Sequence, residues 1–186
     1  MEGTSQSQAL RRALSKITAA LQGVGRKPVV IGELAHQAWG AKPEPKNIEL
    51  LVPPGEEHRD AIRSAARGEG FQEAATAGAL RFRFSDAKFN ATTEADIVEA
   101  SSPFLKQVHG RAQPGVILDM QLPLATCEDL ILLRAASEHP ADRASVVELL
   151  RCTAGRMDAQ YLKEEAQKAG ALEKLKVAWQ EAKKQS

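Results

Sequence analysis

Two short apolar runs, Val29-Val30-Ile31 and Ile48-Glu49-Leu50-Leu51-Val52, stand either side of a glycine turn and a loop broken by Pro43 and Pro45. No other stretch constrains the chain as strongly. The first run is continuous and β-branched, which suits a strand covered on both faces. Gly32 ends it, and residues 33 to 39 suit a short helix with Leu34, Ala38 and Trp39 turned inward. Pro43 and Pro45 then forbid regular structure. In the second run, beginning near Lys46, alternation puts Ile48, Leu50 and Val52 on one face. The other face carries Asn47 and Glu49 together, a polar pair on an otherwise apolar strand.

The remaining chain reads as helices around further strands. Residues 1 to 7 are small and polar and are expected to be a disordered lead-in. Leu10, Leu14, Ile17 and Leu21 recur at helical spacing up to Gly23 and Gly25. A charged helix is predicted over residues 56 to 67, with Ile62, Ala65 and Ala66 available for packing. Leu80, Phe82 and Phe84 alternate with Arg81 and Arg83, and a polar turn separates them from Ala95-Asp96-Ile97-Val98, so a hairpin is expected there. Asp96 falls opposite Ala95 and Ile97. A helix over Pro103 to Val108 and one strand over Gly115 to Leu122 precede an all-helical remainder. In that remainder Thr126 with Asp129 forms a short capping box, Pro140 suits a first helical turn, and Asp158 caps a later helix.

The predicted fold is α/β (α+β): a mixed sheet of about four or five strands flanked by helices, with a C-terminal helical bundle of about four helices. Residues 8–122 form the core of this layout and residues 123–186 the helical region packed on it. At 186 residues the chain can bury a real core. Its 25 basic and 24 acidic residues exclude a global field for nucleic acid or an anionic membrane. DNA-binding modules, membrane spans and a signal core are absent from the sequence, and Cys127 and Cys152 are isolated. A soluble, reduced, cytoplasmic protein is expected.

The stretch from Val29 to Arg151 resembles the nucleotidyltransferase superfamily, especially the minimal bacterial enzymes of toxin and abortive-infection type. Members carry a small-residue turn after the first strand, two aspartates one residue apart on the next, and a third acid on a neighbouring strand. Alternate strand residues point the same way, so such carboxylates converge on Mg²⁺ ions that hold a triphosphate. Backbone amides of the turn cradle its phosphates. By this resemblance Gly32 and Glu33 occupy the glycine turn, Asn47 and Glu49 the paired aspartates, and Asp96 the third acid. Gly40 matches a family glycine, while Pro43 and Pro45 stand for its arginine and threonine. The segment Leu122 to Arg134 resembles the lead-in to the family's second helical region, where a lysine often replaces Arg134. Asp142-Arg143 stands where that branch has an acidic-basic pair.

The substitutions decide the functional expectation. A carboxylate at position 33, about 4 Å from a phosphate, would cost on the order of 4 kcal/mol at an effective dielectric near 20, roughly a thousandfold in affinity. Asn47 offers an amide oxygen but no charge to a metal. The expectation is a degenerate fold member, a pseudo-nucleotidyltransferase whose transfer is lost or very weak, that needs no cofactor and acts as a binding or regulatory partner of another protein. Nucleotide binding and homo-oligomerisation stay open. The alternative is an active Mg-dependent transferase moving NMP from NTP to a protein or RNA hydroxyl, with Asn47, Glu49 and Asp96 as ligands. A third reading is a nucleotide sensor. Gly32, Glu33, Arg81 and Arg134 are the candidate nucleotide contacts, although Arg81 and Arg83 also read as the wet face of a strand. His36 and His109 lack partners at metal-ligand spacing.

Overall fold

A computed structural model describes residues 2–75, 80–136 and 140–184. Its first helix, α1 (Glu2–Gly23), already includes the polar residues expected as a disordered lead-in. Leu10, Leu14, Ile17 and Leu21 are all buried. Once that stripe is anchored, extending the helix by a turn costs little, because nucleation is the expensive step.

The organising stretch folds as expected. It forms β1 (Val29–Ile31), α2 (Gly32–Ala38) and β2 (Asn47–Val52). Gly32 takes a φ of 67°, a left-handed conformation that glycine adopts without strain. Of the residues expected to turn inward from α2, Leu34 is buried, Trp39 half-buried and Ala38 exposed; Ala35 and His36 are buried in its place. A single 3₁₀ turn at Glu56–His58 opens the charged helix α3 (Arg59–Gly68).

Three strands follow: β3 (Gln72–Ala74), β4 (Leu80–Asp86) and β5 (Ala91–Glu99). Beyond them lie α4 (Pro103–Gly110), β6 (Gln113–Ile117) and β7 (Met120–Leu124). Among the described residues the sheet thus has seven strands, in the order β3-β4-β5-β2-β1-β7-β6, rather than four or five. Pairs β2–β5 and β1–β7 are parallel and the others antiparallel. The single strand expected over Gly115 to Leu122 is a hairpin, with Ile117 opposite Met120. Its turn residues Leu118 and Asp119 have φ of 47° and 61°. Two positive φ angles mark the tight hairpin turn that Asn-Gly usually signals; Leu-Asp carries no such signal. Likewise β3, three residues of Gln-Glu-Ala, offers neither apolar alternation nor β-branching to read.

Register divides the sheet into two faces. Ile48, Ala95 and Phe82 align across β2, β5 and β4, as do Leu50, Ile97 and Leu80. These six are buried on the face that α1 covers, where Arg12 bonds Asp86 at 2.9 Å and Lys16 lies 5.8 Å from the Phe84 ring. The opposite face of the same strands carries Asn47, Glu49, Glu94, Asp96, Arg81 and Arg83.

The last four helices are α5 (Cys127–Ala135), α6 (Pro140–Cys152), α7 (Ala159–Lys168) and α8 (Leu172–Lys184). Pro123 does not end the sheet. Leu124 pairs with Val30, and the Ala125 N–H donates to the Val30 carbonyl at 3.0 Å. Thr126 then caps α5 by accepting from the Asp129 N–H at 3.2 Å, and Asp158 caps α7 at Tyr161. Asp129 is fully buried and satisfied: it accepts from Thr126 Oγ1 at 2.8 Å, Tyr161 Oη at 2.5 Å and Arg111 Nε at 3.3 Å. Arg111 also lies 3.7 Å over the Tyr161 ring. These contacts fix α5 against α4 and α7, so the helical region and the sheet share one framework. Among the described residues no helix is long and apolar enough to cross a membrane.

Replacing Phe82, which is wholly buried, with Ala is expected to cost about 3–5 kcal/mol in urea denaturation. Val116→Ser, at a position 61% exposed, is expected to stay within about 0.5 kcal/mol of the parent.

Candidate functional site

Parallel pairing of β2 with β5 sets Glu49 directly beside Asp96, and Asn47 beside Glu94. Like charges so placed repel, and each carboxylate is matched by an arginine. From β4, the register partner Arg81 grips Asp96 with two bonds, Nε to Oδ1 at 2.6 Å and Nη2 to Oδ2 at 2.8 Å. Arg83 bonds Glu94 at 2.9 Å. In the last turn of α5, Arg134 bonds Asp142 at 2.8 Å and lies 3.7 Å from Glu49. Arg81 and Arg134 therefore come to the site through its own acids.

Glu49 also fills the turn after β1. A Cβ placed on Gly32 would overlap the Glu49 carboxylate. The surface that the resemblance assigns to a phosphate thus holds a protein carboxylate. Burial pushes the Glu49 carboxyl above the ordinary range; Arg134 opposes this, while Asp96, Glu33 and Asp142 add to it. Glu33 sits in the first turn of α2, where an acid favours the helix terminus.

Below this turn lies a cavity of about 260 Å³ lined by Ile31, Gly32, His36, Glu49, Leu130, Leu133, Arg134 and Asp142. Asn47 does not reach it. Instead Asn47 lines an open depression with Lys46, Arg83, Thr92 and Glu94. The expected ligand trio of Asn47, Glu49 and Asp96 shares one face of the sheet, but of the three only Glu49 lines the cavity. Among the described residues no group of three or more His, Cys, Asp or Glu is placed to hold a metal ion. Both Asp96 oxygens face Arg81, and Glu49 faces Gly32 and Arg134. So arranged, these residues do not fit the Mg²⁺ that the resemblance implies.

Three participants were not singled out as site residues. His36, which looked like a lone histidine, is 2% exposed with Nε2 unpartnered, and burial together with Arg134 lowers its pKa to about 4 against the pull of Asp142. Asp142 meets Arg134 because α5 and α6 pack together, a contact with no local signature. Glu94 was detectable, since it lies two residues before Asp96 and so on the same face. His109 is elsewhere, bonded through Nε2 to the Lys27 carbonyl at 2.8 Å. Cys127 is buried with its thiol pushed up to about 12 by burial, and Cys152 donates to the Gly40 carbonyl at 3.2 Å.

His36 gives a pH dependence with a definite sign. Folding lowers its pKa from 6.5 to about 4, so the unfolded chain binds the extra proton between these values. Stability should fall as pH drops through that window, by at most about 3 kcal/mol from this group. Urea midpoints measured from about pH 7 down to about pH 4 should show the loss, reduced in His36→Gln.

No family model matches the chain, and no curated protein matches it. Solved structures do. ANT(2")-Ia in complex with adenylyl-2"-tobramycin is 15% identical over 85% of this chain and 95% of its own, with a TM-score of 0.60. JHP933 from Helicobacter pylori is 14% identical over 97% and 93%, at 0.56. An antigenic nucleotidyltransferase-like protein from Paracoccidioides brasiliensis is 10% identical over 87% and 92%, at 0.52. At such identities the likeness is one of architecture: this chain has the nucleotidyltransferase fold.

Proposed function

We propose that this protein is a nucleotidyltransferase-fold member that does not perform nucleotidyl transfer and acts in the cytoplasm as a binding or regulatory partner of another protein. One observation carries the reading: the bidentate grip of Arg81 on Asp96, which turns the third acid of the pattern into half of an ion pair. Glu49 standing on Gly32 supports it, because a phosphate there would meet a carboxylate in its place. Asn47, which lines a separate depression and brings an amide in place of a charge, adds to the same reading. With phosphoryl chemistry opposed at three positions, recognition is the work left to the surface. The toxin-type resemblance makes a cognate bacterial protein the expected partner.

The enzyme reading retains one supporting feature, the side-by-side register of Glu49 and Asp96. Isothermal titration with each of the four NTPs, with and without Mg²⁺, separates the two. The expected outcome is no saturable heat for the native chain. In the presence of Mg²⁺, combining Glu33→Ser, Asn47→Asp and Arg81→Ala should raise NTP affinity by about tenfold or more, since it restores the paired acids, frees both Asp96 oxygens for the metal and removes one carboxylate from the turn. Magnesium-dependent micromolar binding by the native chain that vanishes in Asp96→Ala would overturn the proposal and restore the transferase.

A further inference from the structure

We propose that a second cavity, between the N-terminal part of α1, the end of α2, the Pro43–Pro45 loop and the β6–β7 turn, docks a short peptide segment of a partner protein that carries an aliphatic side chain beside a basic one. The inference rests on the reading above that this chain works by recognising another protein, and names where and by what chemistry it does so. The cavity is about 510 Å³, within the roughly 300–1,000 Å³ usual for binding sites, and shares no lining residue with the cavity at Glu49.

Leu118 is the first argument. It stands in the β6–β7 turn at a φ of 47°, where a leucine is strained and asparagine or glycine is usual. Packing within the chain covers its side chain only in part, and with Leu10, Pro43 and Pro45 it forms the apolar wall of the cavity. Backbone strain of this kind is kept where a side chain is held ready for a ligand.

The polar lining supplies the second, independent argument. The carboxamides of Gln6 and Gln37, the Ser7 hydroxyl and the Glu44 carboxylate reach the same cavity, and among the described residues none of them has a hydrogen-bond or ion-pair partner. A carboxamide offers both a donor and an acceptor. The group that answers two of them is another amide, and a peptide backbone presents amides in series.

The residues missing from the lining narrow the choice. Among the described residues no basic side chain lines the cavity to hold a phosphate or a carboxylate, and no aromatic ring lines it to stack on a base. Glu44 is its one charge, so a lysine or arginine next to the aliphatic residue is the complementary neighbour. The wall is also preformed. Pro43 and Pro45 have fixed φ angles, and the chain just before them is strapped to α6: the Lys42 N–H donates to Glu148 at 2.7 Å, Cys152 to the Gly40 carbonyl at 3.2 Å and Arg156 to the Trp39 carbonyl at 3.3 Å. A site that is already rigid loses little entropy when it is filled.

The probe is N-acetyl-leucyl-lysinamide, titrated into the full chain and followed by amide shifts at Ser7, Gln37, Glu44 and Leu118. Saturation is expected with a dissociation constant of about 1 mM or tighter. The glycyl-lysinamide analogue, which lacks the apolar anchor, should bind on the order of tenfold more weakly. An analogue with glutamate in place of lysine, which meets Glu44, should bind about threefold more weakly. Gln37→Leu removes one carboxamide, and Leu118→Gly removes the apolar wall while glycine suits the turn; each should weaken the leucyl probe by about fivefold or more. Ser7→Trp, on the exposed side of α1, fills the cavity and decides should either variant fail to fold. No saturation by the leucyl probe, equal affinity for the three peptides, or undiminished affinity in the folded variants would overturn the inference. Silence toward peptides and NTPs alike removes only this site, whereas a magnesium-dependent NTP isotherm removes the reading beneath it.

Discussion

Two carboxylates forced side by side on adjacent parallel strands cannot remain uncompensated. The β2–β5 register places Glu49 and Asp96 in that relation, and the surroundings answer it. Asp96 is matched by a residue on the next strand, Arg81, so its compensation comes from within the sheet. Glu49 is matched by Arg134, whose position depends on the whole helical region. That dependence explains why α5 is so firmly held: β7 delivers it beside β1, Thr126 caps it, and the buried Asp129 ties it to α4 and α7. An arginine at the far end of a loosely held helix could not serve a carboxylate in the sheet.

The same constraint is met differently from the pattern that the sequence resembles. There a divalent metal compensates such acids; here the guanidiniums of Arg81 and Arg134 stand beside them. The architecture is shared, and an architecture does not by itself fix a chemistry.

How much of this was legible in the chain depends on the range of the interaction. Strand β1, the glycine turn and the Asn47/Glu49 face of β2 are local patterns of period and punctuation, and they appear as read. The caps at Thr126 and Asp158 are equally local. Strand β3 lacked apolar alternation and the hairpin turn has a leucine, Leu118, at its first positive-φ position, so the sheet is wider than its apolar runs implied. Pairings were the hidden part. Nothing near Arg81 announces Asp96 as its partner, because the β4–β5 register is fixed by the loop and by packing beneath the strands. His36 was readable as a helix residue but not as the wall of a cavity, since that depends on Arg134 and Asp142 arriving from α5 and α6.

The hairpin that escaped the sequence also determines how the sheet ends. Its outer strand, β6, is an edge, with Pro114 and Gly115 at its centre and Val116 exposed. Proline has no amide hydrogen to offer a neighbouring strand, and glycine weakens a strand interior. This border is thus a poor template for another chain's backbone, and the protein carries on its open side a built-in resistance to strand-on-strand aggregation.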